Sequence, residues 1–258
     1  EWQAYIDSYQ SPEHYGLRLN PLKVAKEEAP KQISYELQQV PWCELGFYYD
    51  GRKEQPAKHP YYHAGLYYIQ EPSAMLPASL LPVVPGEKVL DLCAAPGGKS
   101  TQIAGKLCGE GLLVSNDISI SRAKALVKNL EMAGVKNAVV TSEKPEKLAA
   151  SLAGFFDKIL VDAPCSGEGM FRKDPSMVKD YEARGVEYYA PLQKEIVASA
   201  IAMLKPGGEM VYSTCTFSPE ENEGLVDWVL ENYPDMSVET GFSFEGRDYG
   251  HPEWLSIE

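Results

Sequence analysis

From Lys88 to Tyr233 the chain alternates five times between a short apolar run and a segment of helical period. The apolar runs are KVLDL (88–92), GLLVSND (111–117), NAVVTS (137–142), FFDKILVD (155–162) and GEMVYST (208–214). Short, apolar runs of this kind predict parallel strands buried on both faces. Between them, apolar residues recur at helical spacing: Ile103 and Leu107, then Leu126, Val127 and Leu130, then Leu192, Ile196, Ala200 and Leu204 from a start at Pro191. Ser119 or Ser121 is expected to cap the second helix, and Gly109 and Gly134 to end the first two. Pro145 suits a first turn, as does Ser218-Pro219 followed by acids. Such alternation predicts an α/β chain: a doubly wound, mostly parallel sheet with helices on both faces.

Residues 1–65 have another character, rich in Tyr and Pro, with a helix-like start and strand-like pieces LRLN, ISYEL and GFYYD. They are expected to form a small N-terminal α/β domain, with 66–258 as the main, ligand-binding domain. The stretch HPYYHAGLYYIQEPSAMLPASLL reads as a connector and a helix leading into the sheet. After about residue 235 the periodicity is lost and no element is assigned.

Several classes are disfavoured. No apolar run approaches the roughly 18 to 20 residues of a membrane span, and the opening EWQAYIDSYQ is no signal peptide. It also lacks an initiator Met, so the chain is read as a fragment, domain or processed product. Five cysteines, at 43, 93, 108, 165 and 215, include no Cys-x-x-Cys pair. That argues against a disulfide framework and a structural metal, and for a reducing, cytoplasmic setting. A net charge of −13 counts against gripping a polyanion through a broad basic face. Arg52-Lys53, Lys58 and Arg172-Lys173 are short basic clusters, read by themselves as solvated surface.

In a doubly wound sheet, ligands bind beyond the carboxyl ends of the strands, and every unusual motif falls there. CAAPGGK follows the first strand, ND the second, TSE the third, DAPC the fourth and STC the fifth. The small-residue turn from Cys93 to Lys99 lets a ligand lie against backbone. It is neither G-x-G-x-x-G nor a phosphate loop, since the first glycine of the latter would fall at Leu92. Asp117, about twenty residues past Gly97, suits the hydroxyls of a ribose. A nucleoside cofactor without a diphosphate cradle fits best, and S-adenosylmethionine meets that description better than NAD. A Cys-x5-Arg phosphatase loop at Cys165 fails because Phe171 stands where Arg is needed. Asp162-Ala163-Pro164-Cys165 likewise lacks the aromatic of amino-methylating enzymes.

Two thiols, Cys165 and Cys215, and the carboxylate of Asp162 beside a methyl donor suit one reaction above others. Carbon 5 of cytosine is a poor nucleophile until a thiolate adds to C6, and an acid or carboxylate near N3 and the amino group would stabilise the adduct. On these grounds alone either thiol could be the nucleophile. A cofactor-binding module without activity, or a methyltransferase for small molecules or proteins, would need no such pair.

DLCAAPGGKSTQIA, DAPCSGEGMFRKDP, YSTCTFSPEENE and LYYIQEPSAMLPA together resemble the NOL1/NOP2/Sun family of RNA cytosine-C5 methyltransferases over most of residues 60–230. LRLNPLK and VPWCELGFYYD are similar to its bacterial branch acting on small-subunit ribosomal RNA, the methyltransferase F type. The resemblance implies a Rossmann-like fold over 66–258, S-adenosyl-L-methionine as cofactor, and RNA, 16S rRNA or the small ribosomal subunit, as partner, with neither membrane nor metal. It implies Cys215 as nucleophile and Cys165 as the residue assisting release, with Asp162 beside them. Cofactor contacts carry over to Cys93, Ala94, Ala95, Pro96, Gly97, Gly98, Lys99, Asp117, Arg122 and Asp162. Thr141-Ser142-Glu143-Lys144 departs from the family's acidic or amide adenine contact, and Glu143 is the expected substitute. Family members often carry a further C-terminal RNA-binding domain, expected to lie outside this chain.

Overall fold

The computed structural model describes residues 2–11, 13–25, 28, 33–242, 244 and 248–256. A short helix, Trp2–Ser8, precedes four antiparallel strands: β1 (Tyr15–Leu19), β2 (Gln38–Gln39), β3 (Gly46–Tyr49) and β4 (Tyr67–Ile69). They pair in the order β2-β3-β1-β4. LRLN and GFYYD supply β1 and β3 as expected. ISYEL does not form a strand; only the two glutamines after it pair.

The apolar runs form β5 (Lys88–Asp91), β6 (Leu112–Asn116), β7 (Ala138–Thr141), β8 (Phe156–Asp162) and β9 (Leu204–Ser213). All pair in parallel, in the order β7-β6-β5-β8-β9. Val89, Leu90, Leu113, Ile159, Leu160 and Val161 are wholly buried, because helices cover both faces. Successive residues face opposite ways along a strand. Leu90, Ile159 and Val161 therefore pack with Ile196, Val197 and Met203, whereas Val89, Leu113 and Leu160 pack with Ile103, Leu107, Leu126 and Leu130. Each such buried side chain contributes about 1.5–3 kcal/mol.

Helices Gly98–Leu107, Ile120–Ala133 and Pro145–Leu152 lie where the periodicity predicts; the helix expected from Ser218-Pro219 instead opens with a 3-10 turn, Pro219–Glu221, and is α-helical over Glu223–Asn232. Ser119 is the cap of the second, and Gly134 ends it. The first ends at Leu107, with Cys108 rather than Gly109 taking the first left-handed position (φ +52°). The helix expected from Pro191 begins at Gly185, with Pro191 inside it, and a helix over Ser176–Ala183 precedes it unannounced by the sequence pattern. It stops at Met203, and β9 starts four residues earlier than Gly208. Pro206 disfavours helical backbone at the residue before it.

The LRLNPLK segment joins the two sheets. Asn20 Nδ2 donates to the carbonyls of Gly65 and Ala133, 2.8 Å each, and Lys23 Nζ to those of Ala64 and Met132, 2.6 Å each. The Met132 and Ala133 carbonyls belong to the last turn of helix Ile120–Ala133, where a cation and amide donors are favoured. Arg18, buried, donates from Nε to Gln70 (3.0 Å) and from Nη2 to the Gly98 carbonyl (2.9 Å) and Thr101 Oγ1 (2.7 Å). The motif thus anchors the first turn of helix Gly98–Leu107 to the N-terminal sheet.

Candidate active site

The strand order reverses between β5 and β8: β6 and β7 lie on one side of β5, β8 and β9 on the other. A crevice at the strand ends is therefore expected there. Asp91 ends β5 with its carboxylate wholly buried; Oδ2 accepts from Ser100 Oγ at 2.6 Å. Its Oδ1 is buried with no hydrogen-bond partner. Burial pushes this carboxyl up to about 7, against the opposing hydrogen bond from Ser100.

Residues Cys93–Lys99 turn from β5 into helix Gly98–Leu107, with the Ala95–Pro96 peptide cis. Ala94 and Ala95 are buried, and burial pushes the Cys93 thiol up. The turn is held from the β6 side. Arg122 donates from Nη2 to the Ala95 carbonyl (2.7 Å), and Asn129 Nδ2 donates to that of Pro96 (2.7 Å). Asp117, just beyond β6, accepts the Ser119 N–H on Oδ1 (2.9 Å) and pairs with Arg122 on Oδ2 (3.0 Å). Glu143 lies two residues beyond β7. Its backbone N–H donates to Asn116 Oδ1 (3.0 Å), while its carboxylate pairs with Lys147 four residues on, at 2.5 Å.

Asp162 ends β8 in register with Ser213 at the end of β9. Its Oδ2 accepts from Lys99 Nζ at 2.6 Å and its Oδ1 from Ser213 Oγ at 2.7 Å. The equal height of the two strand ends also brings together the loops beyond them. Cys165 and Cys215 are free thiols with sulfurs 3.3 Å apart, and the Cys215 N–H points at Cys165 Sγ, also at 3.3 Å. Cys165 is buried and Cys215 exposed. The pair is electrically unequal. A hydrogen bond from the Cys165 thiol, helped by the Lys99 ammonium, holds Cys215 below the ordinary thiol range, whereas Cys165 is pushed up by that same bond and by burial. The exposed sulfur is thus the readier of the two to ionise, and the thiolate is the form in which sulfur is a nucleophile.

The pair is held by residues that sequence reasoning missed. Glu221, wholly buried, accepts on Oε2 from the Ser166 N–H (3.1 Å) and from Gln193 Nε2 (2.6 Å), and Gln193 also donates to the Pro164 carbonyl (2.9 Å). Glu168 Oε2 accepts from Thr216 Oγ1 (2.7 Å) and the Phe217 N–H (2.9 Å). Gly169 donates its N–H to the Cys215 carbonyl at 2.9 Å, and a Cβ there would lie 2.8 Å from that oxygen. The lack of a side chain at Gly169 thus lets the loop after β8 come within hydrogen-bond distance of the Cys215 backbone. Ser213 and Glu221 stood within quoted motifs, but Gln193 looked like any polar residue of a helix.

Residues 78–255 match the family model for 16S rRNA methyltransferase RsmB/F, and residues 1–72 that for the N-terminal domain of 16S rRNA methyltransferase RsmF. The chain belongs to the RsmB/F family. Ribosomal RNA small subunit methyltransferase F of Pectobacterium atrosepticum is 39% identical over 242 residues, 90% of this chain and 50% of that protein. Its Escherichia fergusonii counterpart is 39% identical over 257 residues, 95% and 53%. The chain thus spans about half the length of these curated relatives. A methyltransferase homolog from Pyrococcus horikoshii superposes with a TM-score of 0.77 at 32% identity, covering 88% of this chain and 72% of that one. NSun6 from the same organism, solved with SFG, shares the fold: TM-score 0.82, 23% identity, 96% and 87% covered.

The strand-end residues fit S-adenosylmethionine. Asp91 Oδ1 is a buried acceptor without a partner, and Asp117 is an acid just beyond the adjoining strand; both suit the amino and hydroxyl donors such a ligand carries, and the turn Cys93–Lys99 between β5 and its helix is built of small residues. Among the described residues no group of three or more His, Cys, Asp or Glu is placed to hold a metal, and no helix is long and apolar enough to cross a membrane.

Proposed function

We propose that this chain carries the catalytic unit of an enzyme that methylates C5 of a cytosine in RNA, with small-subunit rRNA as substrate, S-adenosylmethionine as donor and the cytoplasm as its place of work. Its catalytic unit carries the five-stranded sheet; the small N-terminal unit extends through β4 (Tyr67–Ile69), which pairs with β1, a few residues past the boundary expected at residue 65. The observation that carries the reading is the unequal thiol pair 3.3 Å apart, set beside a carboxylate held by Lys99 and Ser213. Plain methyl transfer to oxygen or nitrogen needs no such pair.

Cys215 is the nucleophile. Its thiolate bonds to C6 of the cytosine, and the electron pair of the C5–C6 double bond moves onto the ring, making C5 nucleophilic. Asp162 accepts from the exocyclic amino group, while the Lys99 ammonium offsets charge building near N3. S-adenosylmethionine supplies an electrophilic methyl on a sulfonium when bound, cradled by Cys93–Lys99 with Asp117 and Arg122 at its ribose side and Glu143 near its adenine. A water molecule then takes the C5 proton, the C5–H bonding pair re-forms the C5–C6 double bond, and the C6–S bond breaks with its pair returning to Cys215, which restores the aromatic ring. Cys165 carries the proton that stabilises the departing Cys215 thiolate, and so assists release. The target base has to leave its stack to reach the two sulfurs.

RNA carrying 5-fluorocytidine tests the reading, because fluorine at C5 leaves no proton to remove. The wild type should form a donor-dependent adduct stable on a denaturing gel, and Cys215→Ala none. Cys165→Ala should accumulate an adduct even with ordinary RNA. A wild type that forms no adduct refutes the mechanism, and the reverse pattern exchanges the two roles.

A further inference from the structure

Phe217 stands two residues after the proposed nucleophile and is 61% exposed. Burial alternates along this loop: Cys215 and Phe217 face solvent while Thr216 and Ser218 are buried. The sulfur and the aromatic ring therefore share a face, their Cα atoms within about 7 Å. The ring is held in place. Glu168 fixes its backbone N–H at 2.9 Å, and Tyr5 meets it edge-on at 5.9 Å. Tyr5 in turn meets Tyr9 edge-on at 5.4 Å. Arg172, from the loop after β8, donates to the carbonyls of Ser8 and Ser11, fastening the end of helix Trp2–Ser8 to that loop. Three rings from two distant parts of the chain thus stand edge to face in series, the first of them two residues from the exposed sulfur.

A single exposed aromatic needs no explanation, but one fixed on the face of a nucleophile does. A chain of net charge −13 has little means of gripping RNA by its phosphates alone. Aromatic faces hold bases with no need of charge. Extruding the target cytosine also bares the face of its neighbour, which then lacks a stacking partner.

We infer that Phe217, backed by Tyr5, is a stacking shelf for the nucleotide base flanking the target cytosine, and so a residue that positions the RNA strand. The inference rests on the proposed cytosine chemistry at Cys215. The test is a double-mutant cycle between ring and base. Stem-loop RNAs are cut around a cytosine mapped by bisulfite sequencing, with an abasic nucleotide on its 5′ or 3′ side. Phe217→Ala should raise the KM for intact RNA roughly 5- to 150-fold, the range for one base–aromatic stack, with kcat within about threefold of wild type. Phe217→Trp should restore it. At one flanking position the abasic RNA should weaken wild type equally and leave Phe217→Ala no weaker. Losses that multiply at both positions, or a Phe217→Ala enzyme as good as wild type, overturn the shelf. Wild-type adduct formation on the matching 5-fluorocytidine RNA is scored in parallel; its absence refutes the cytosine chemistry itself, whereas its presence with multiplying losses refutes only the shelf.

Discussion

Replacing Gly65 by Ala should loosen the junction between the two sheets. Gly65 has φ +72°, and a Cβ there would lie 2.0 Å from the Met132 carbonyl oxygen and 2.9 Å from its carbon. The left-handed conformation costs a residue with a Cβ about 1–2 kcal/mol. No rotamer relieves contact with backbone, so the turn must withdraw by more than an ångström to reach ordinary separation. Withdrawal strains the bonds from Asn20 to the Gly65 carbonyl and from Lys23 to that of Ala64, each contributing about 1 kcal/mol. The sum is about 3–4 kcal/mol, a large share of the 5–15 kcal/mol typical of a domain. Gly86→Ala is the control: φ is +92° there, with nothing within 4 Å of the added carbon, so only the conformational cost of about 1–2 kcal/mol applies. Urea unfolding of both variants at neutral pH measures the difference, expected to be about 2 kcal/mol, and proteolysis of Gly65→Ala should cut first between the sheets. Equal midpoints for the two variants would refute the steric argument.

Removing the Cys165 thiol with Ala should move alkylation of Cys215 by iodoacetamide to higher pH, because the hydrogen bond that holds the Cys215 thiolate is lost; Cys165→Ser, which keeps a donor, should stay near wild type. Peptide-resolved mass spectrometry from pH 6 to 10 reads this, and an unmoved Cys165→Ala profile contradicts it. Asp91 is protonated in the fold up to about pH 7 but ionised above about pH 4 when unfolded. Its contribution to stability is therefore fully present below about pH 4 and is lost as pH rises through about 7. Asp91→Asn should remove this dependence, so the wild type's unfolding free energy should fall relative to the variant's between pH 4 and 7; a constant difference across that window refutes it.

Much of the site was visible before folding, for a stated reason. Hydrophobic period is local, and in a doubly wound sheet it says where each strand ends. Cys93–Lys99, Asp117, Asp162, Cys165 and Cys215 could thus be assigned to one edge. What pairs across distance could not. Gln193 reaches Pro164 and Glu221 only because its helix packs against β8. Arg18 reaches Gly98 across 80 residues. Glu143, just ahead of helix Pro145–Leu152, turns to Lys147 in its first turn because opposite charges at this distance attract one another. The N-terminal boundary of helix Gly185–Met203 was missed because Pro191 reads locally as a start, although the structure continues the helix through it.

The amino-acid sequence by itself determined the succession of strands and helices and the chemical groups at each strand end, since both depend on neighbours within a few residues. Only the tertiary structure decided the distance between the two sulfurs and which of them is the readier to ionise. Those follow from the pairing of β8 with β9, which sets Asp162 level with Ser213, and from the depth at which each loop then lies: one thiol shielded from water, the other open to it.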